Sequence, residues 1–127
     1  MSRKLNYKDI MAFALLNKNN LRVAIISGEK NSAIELLSER FNISEVHQGI
    51  RVKIDVLKDI ISKYNLSQEE YLYIGDDVND KASLEFAKYK VTVPQAISQI
   101  KEIDGIQITE TMAGNGAFRE VVDCLIG

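Results

Sequence analysis

The chain has 127 residues, 46% hydrophobic and 27% charged, which suits one domain with one hydrophobic core. Its formal net charge is −2 and acids and bases interleave, so no basic stripe or basic amphipathic helix points to nucleic acid or a membrane surface. No apolar run is long enough to span a bilayer, Met1-Ser2-Arg3-Lys4 does not lead into a signal peptide's apolar stretch, and the lone Cys124 has no internal disulfide partner. A single cytoplasmic domain over residues 1–127 is expected.

In chain order, Tyr7 to Lys18 reads as a helix with Ile10, Met11, Ala14 and Leu15 on one stripe. Asn17-Lys18-Asn19-Asn20 breaks it. Leu21 to Ile26 is a buried-strand candidate closed by Ser27-Gly28. Ser32 with Glu35 forms a capping-box pattern that opens a helix to about Phe41. Glu45 to Gln48 is a short strand at best. Ile50, Ile54, Leu57, Ile61 and Tyr64 mark a helix by spacing, and Ser67 with Glu70 is a second cap pattern. Tyr71 to Ile74 is a strand ended by Gly75. Lys81 to Ala87 is a short helix, Lys90 to Val93 a strand stopped by Pro94, and Ala96, Ile97 and Ile100 a short amphipathic helix. Ile106 to Ile108 is a last strand and Gly114-Asn115-Gly116 a loop. Ala117 to Ile126 closes the chain as a helix with Phe118, Val121, Val122 and Leu125 inward and Cys124 in the core. Strands alternating with helices predict an α/β fold, a Rossmann-like parallel sheet flanked by helices.

Four features lie after a strand or at a helix start: Ser27-Gly28, Lys53, Asp76-Asp77-Val78-Asn79-Asp80, and Gly114-Asn115-Gly116. In parallel α/β sheets ligands gather at the carboxyl ends of the strands. A Ser hydroxyl beside a backbone amide suits a phosphate oxygen, a lysine supplies a point charge for a phosphoryl group, and a carboxylate cluster suits Mg²⁺. Together they describe a phosphoryl-transfer site. Taken singly, each has a plainer reading. Ser-Gly and Gly-Asn-Gly are common turns, most lysines at helix starts are solvated, and Asp and Asn favour turns and caps. His47 has no second ligand at metal spacing. Tyr71 and Tyr73 read most simply as strand residues packing on a helix.

The ordered set of segments resembles the haloacid-dehalogenase superfamily. It comprises Val23-Ala24-Ile25-Ile26-Ser27-Gly28, His47-Gln48-Gly49 with Lys53, Tyr73-Ile74-Gly75-Asp76-Asp77-Val78-Asn79-Asp80, and Ala113-Gly114-Asn115-Gly116-Ala117-Phe118-Arg119-Glu120-Val121. It is most similar to the capless branch around the 3-deoxy-D-manno-octulosonate 8-phosphate phosphatases, with relatives among nine-carbon sugar-acid phosphatases and C-terminal domains of CMP-sialic acid synthetases. The resemblance covers nearly the whole chain from about Leu5. It implies that Ser27, with Gly28, binds phosphate and that Lys53 stabilises the nucleophile and the phosphoryl group. It also implies that Asp76 is the protein's Mg²⁺ ligand, with Asp80 supporting the metal's shell and Lys53, and Asp77 beside them. A phosphorylated sugar acid is the implied substrate.

The family's first motif, a strand ending in Asp-x-Asp-Gly whose first Asp attacks phosphorus, is not found in this sequence. The alignment begins just after that strand and its hairpin, a deficit of roughly 25–30 residues by ordinary strand lengths. This chain alone is therefore expected to be a very poor phosphatase. The missing strand would lie between the strands at Val23–Ile26 and Tyr71–Ile74. Those strands then close up, or another chain fills the gap, or the fold changes. Glu29 stands where the family often carries Arg, and it repels an anion. Two functional readings follow: an Mg²⁺-dependent sugar-acid phosphatase domain whose catalytic strand comes from elsewhere, or a non-catalytic homologue acting through oligomerisation or regulation. A receiver-like or nucleotide-binding domain is disfavoured, because no Gly-rich phosphate loop follows a first strand.

Overall fold

The computed structural model describes residues 21–112 and 116–126. The helix expected at Tyr7–Lys18 and most of the Gly114-Asn115-Gly116 loop lie outside them. Among the described residues five short strands alternate with five helices. Strand β1 is Ala24–Ile26, helix α1 Ser32–Phe41, strand β2 Glu45–His47, helix α2 Lys53–Tyr64 and strand β3 Leu72–Ile74. A 3-10 turn at Val78–Asp80 leads into helix α3, Lys81–Phe86. Strand β4 is Tyr89–Thr92, helix α4 Ser98–Lys101, strand β5 Gln107–Ile108 and helix α5 Ala117–Ile126.

Every strand pair is parallel, as helical crossovers require. The pairs form two sheets, β1-β2 and β3-β4-β5. In the first, Ile25 sits opposite Val46; in the second, Tyr73 sits opposite Lys90 and Thr92 opposite Ile108. Among the described residues, β1 and β3 are therefore each bare on one edge. The chain divides into two compact units, Met1–Ile50 with Thr111–Gly127, and Arg51–Glu110.

The Arg51–Glu110 unit holds most of the described core: Leu57 and Ile60 from α2, Tyr73 from β3, Leu84 from α3, Val91 from β4 and Ile100 from α4. Helix α2 packs against α3 and against the 3-10 turn, which brings the start of α2 to the loop after β3. In the other unit Ala117, Val121 and Val122 of α5 are buried, but α1 buries no residue fully.

Local chemistry differs from the sequence expectation at several points. The N-cap of α1 is Asn31, whose Oδ1 accepts from Ala33 N at 2.8 Å; Ser32 is already helical. Asn and Ser cap equally well, so neighbouring candidates are decided by which residue leaves the helical backbone first. Ser67 and Glu70 do bond, Ser67 N to Glu70 Oε1 at 2.9 Å, but they close a turn before β3 and start no helix. Leu125 is 56% exposed and Cys124 is exposed too, because the burial of α5 ends with Val122. Helices α1 and α2 both stop at asparagines in the left-handed region, Asn42 and Asn65, with φ of 57° and 51°. Asn tolerates that conformation better than other non-glycine residues.

Candidate functional site

Strand β3 delivers the acidic loop. Its apolar residues pair with β4, and Gly75 N continues that ladder to Val91 O at 3.1 Å. The chain then folds back through Asp76 and Asp77 into the 3-10 turn. Asp77 caps that turn, its Oδ1 accepting from Val78 N at 2.7 Å. The turn carries Asp80 back over Gly75. A Cβ on Gly75 would lie 2.6 Å from both Cβ and Cγ of Asp80, so no other residue fits there without displacing the carboxylate.

Asp80 is 3% exposed and accepts four hydrogen bonds. Lys53 Nζ donates to Oδ1 at 3.0 Å, and Tyr73 OH donates to the same oxygen at 2.7 Å. The backbone amides of Asp76 and Asp77 donate to Oδ2 at 3.2 and 3.1 Å. A carboxylate has about four lone-pair sites, and here the protein fills them. The Lys53 side chain is 11% exposed, so this ion pair is well removed from solvent screening. Lys53 is the first residue of α2, placed there by the packing of that helix on the 3-10 turn. Burial, and then the neighbouring Asp80 carboxylate, raise the Tyr73 phenol well above its ordinary range, so it stays a donor.

The structure thus brings together Lys53, Asp80 and the Asp76–Asp77 backbone. Ser27 and Gly28 belong to the other unit, at the end of β1. There Ser27 N donates to His47 O at 2.8 Å and Ile50 N to Ser27 O at 3.0 Å, tying the loops after β1 and β2 together. Asn31 N donates to Gln48 Oε1 at 2.6 Å, and Ser27 Oγ accepts from Glu29 N at 3.1 Å. His47 Nε2 lies 3.0 Å from Glu45 Oε1, a local pair and not a metal site.

Among the described residues no three His, Cys, Asp or Glu side chains converge as a metal cluster. The donor set is narrower. Asp80's oxygens are taken and Asp77 caps the turn. Asp76, half-buried at the strand's end, carries a carboxylate of the hard-oxygen type that Mg²⁺ takes. That suffices for an ion that keeps several waters and takes one or two protein carboxylates.

A cavity of about 510 Å³ in the Arg51–Glu110 unit is lined by none of Lys53, Asp76, Asp77 and Asp80. Lys81 and Lys90 line it against Glu85, Glu102 and Asp104. Mixed charge gives it no net pull on a phosphate.

Two residues carry more of the site than the sequence indicated. Tyr73 had the signal that a buried phenol in a strand needs an acceptor. Gly75 read as a strand terminator, and its close approach to Asp80 depends on the path of the turn.

Residues 2–120 match the haloacid dehalogenase-like hydrolase family. The chain belongs to that family. The similarity extends to 3-deoxy-D-manno-octulosonate 8-phosphate phosphatases. That of Salmonella typhi is 30% identical over 122 residues, 95% of this chain and 64% of the relative. That of Yersinia pestis is 26% identical over 121 residues, with the same coverage. The chain spans a little under two thirds of the length of these curated relatives. The Moraxella catarrhalis phosphatase, solved with a magnesium ion, a phosphate ion and a KDO molecule, superposes with a TM-score of 0.88 at 27% identity, over 99% of this chain and 72% of that one. The cobalt-bound Haemophilus influenzae structure, at 23% identity and TM-score 0.86 over 95% of this chain and 70% of that one, shares the fold. The parallel α/β architecture is thus that of haloacid dehalogenase-like hydrolases. Among the described residues no helix is long and apolar enough to cross a membrane.

Proposed function

We propose that this chain is a sugar-acid phosphatase-type domain of the octulosonate or nonulosonate phosphate class, with Mg²⁺ as its cation, that does not turn over substrate on its own. The observation that carries the reading is the Lys53–Asp80 pair, anchored on the Asp76 and Asp77 amides at the carboxyl end of β3. The buried pair presents a fixed ammonium where a phosphoryl group would meet a parallel-sheet edge. Ser27 and Gly28 supply a hydroxyl and an amide for phosphate oxygens. Asp76 holds the cation, which neutralises phosphoryl charge when bound. Asp77 acts by capping the turn, and Asp80 by holding Lys53 rather than by ligating metal. The expected partner is a phosphorylated sugar acid, in a cytoplasmic setting, with no nucleic acid and no membrane.

Turnover is not expected because the sequence holds no Asp-x-Asp pair to supply an attacking carboxylate and its acid–base partner. The second reading is a non-catalytic homologue that works through oligomerisation or regulation. The bare edges of β1 and β3 favour it, because a strand from another segment or chain can pair there.

The test is phosphate release by the mass-verified chain with Mg²⁺ and a panel of eight- and nine-carbon sugar-acid phosphates, with Asp76→Asn beside it. No release, together with Mg²⁺-dependent amide shifts that Asp76→Asn abolishes, is the expected result. Release that disappears in Asp76→Asn would show that another carboxylate attacks. Mg²⁺ shifts unchanged in the variant would remove Asp76 as the ligand.

A further inference from the structure

We propose that Tyr73 is a positioning residue for Lys53, acting through Asp80. The inference rests on the phosphate-recognition reading for its purpose, but its geometry stands alone. The phenol is buried, with Tyr73 8% exposed, and donates to Asp80 Oδ1 at 2.7 Å; the Lys53 ammonium reaches that same oxygen at 3.0 Å. Oδ2 is held by two backbone amides, so one end of the carboxylate is pinned to the main chain. Without the phenol, the other end would pivot about that anchor with Lys53 as its one remaining tether among the described residues. Lysine has three donors on a long flexible stem and does not fix an acceptor's direction. A phenol on a β-strand, in a residue only 8% exposed, has one donor and little freedom to turn it elsewhere. Tyr73 therefore sets the direction of Oδ1, and Oδ1 sets where the ammonium rests. Strand β3 thus contributes to the site twice, through the loop it launches and through the side chain inside it.

The test compares wild type, Tyr73→Phe, Asp80→Asn and Tyr73→Phe/Asp80→Asn by NMR of ¹³C-labelled lysine, with Lys53→Met assigning the signal. In wild type the two Hε protons of Lys53 are expected to be inequivalent. In Tyr73→Phe they are expected to merge while the melting temperature stays close to wild type. Inorganic phosphate, titrated with Mg²⁺, should bind about tenfold more weakly to Tyr73→Phe, as for loss of one hydrogen bond to a charged group. The double variant should be no weaker than Asp80→Asn, because the phenol acts only through that carboxylate. Retained Hε inequivalence in Tyr73→Phe overturns the proposal, as do losses that multiply in the double variant. Should Tyr73→Phe not fold, wild type still decides: a slowly exchanging Tyr73 hydroxyl proton with cross-peaks to Lys53 Hε supports the assignment, and its absence overturns it. Wild type that binds no phosphate would refute the recognition reading, while the Lys53 signal would still judge the positioning claim.

Discussion

Gly75 and Tyr73 act on the same carboxylate from opposite requirements: one must have no side chain, the other must bring a hydroxyl. For Gly75 the need is steric, since an added Cβ would meet Asp80 at 2.6 Å. Gly75→Ala is expected to destabilise the chain by about 1–3 kcal/mol, the usual cost of overpacking, and to shift the Asp76 and Asp77 amide resonances as Asp80 moves. Urea denaturation and an amide spectrum check both; an unshifted pair of amides would mean that Asp80 yields without leaving its donors. For Tyr73 the phenol's folded pKa is raised above its ordinary value of 10.0, first by burial and then by the Asp80 charge. A raised pKa contributes stability that is whole below the unfolded value and is lost as pH rises toward the folded one. Wild type should therefore lose stability above pH 10 more steeply than Tyr73→Phe, by up to about 1.4 kcal/mol per pH unit. Urea midpoints of the two proteins at pH 9 and pH 11 measure the difference, and parallel pH profiles would refute it.

At the scale of elements, the helices were legible and their ends less so. Apolar spacing located α1, α2, α4 and α5 because a 3.6-residue stripe must face the core. The caps were harder, since several residues with equal capping ability lie side by side. Asn31, not Ser32, caps the start of α1, and it also links to the loop after β2 through its amide, which donates to Gln48. Asn31→Ala should cost about 1 kcal/mol in the unfolding free energy. Ser32→Ala should cost much less, and thermal melts of the two variants distinguish them. The exposed end of α5 shows the limit of periodicity: Leu125 and Cys124 continue the apolar stripe, but the helix outlasts what covers it.

For the whole molecule the telling feature is the contrast among strand edges. Among the described residues β1, β2, β3 and β5 are all edge strands of their own sheets; β2 carries Glu45 and His47, and β5 is only two residues long. Strands β1 and β3 read Ala-Ile-Ile and Leu-Tyr-Ile, with no charge and no proline, and among the described residues each has one bare edge. Unprotected edges of this kind recruit strands. The chain is expected to self-associate with rising concentration, and Ile74→Lys, at a position 37% exposed, should weaken that association with little loss of stability. Sedimentation velocity over a concentration series checks this; a monomer throughout would show that the bare edges are tolerated in solution.

Class, element order and the residue types of the site follow from the sequence because periodicity and turn chemistry are local. The run from Gly75 to Asp80 announces a carboxylate cluster at a strand end by composition alone. Which of those carboxylates faces outward is decided by the fold. Asp80 lies seven residues from the phenol and twenty-seven from the ammonium that bind it. Only the packing of α2 on the 3-10 turn brings that ammonium to it, so the Lys53–Asp80 bond is a tertiary feature. The split into two sheets is likewise tertiary, because strand pairing depends on which neighbours are there to complete the ladder.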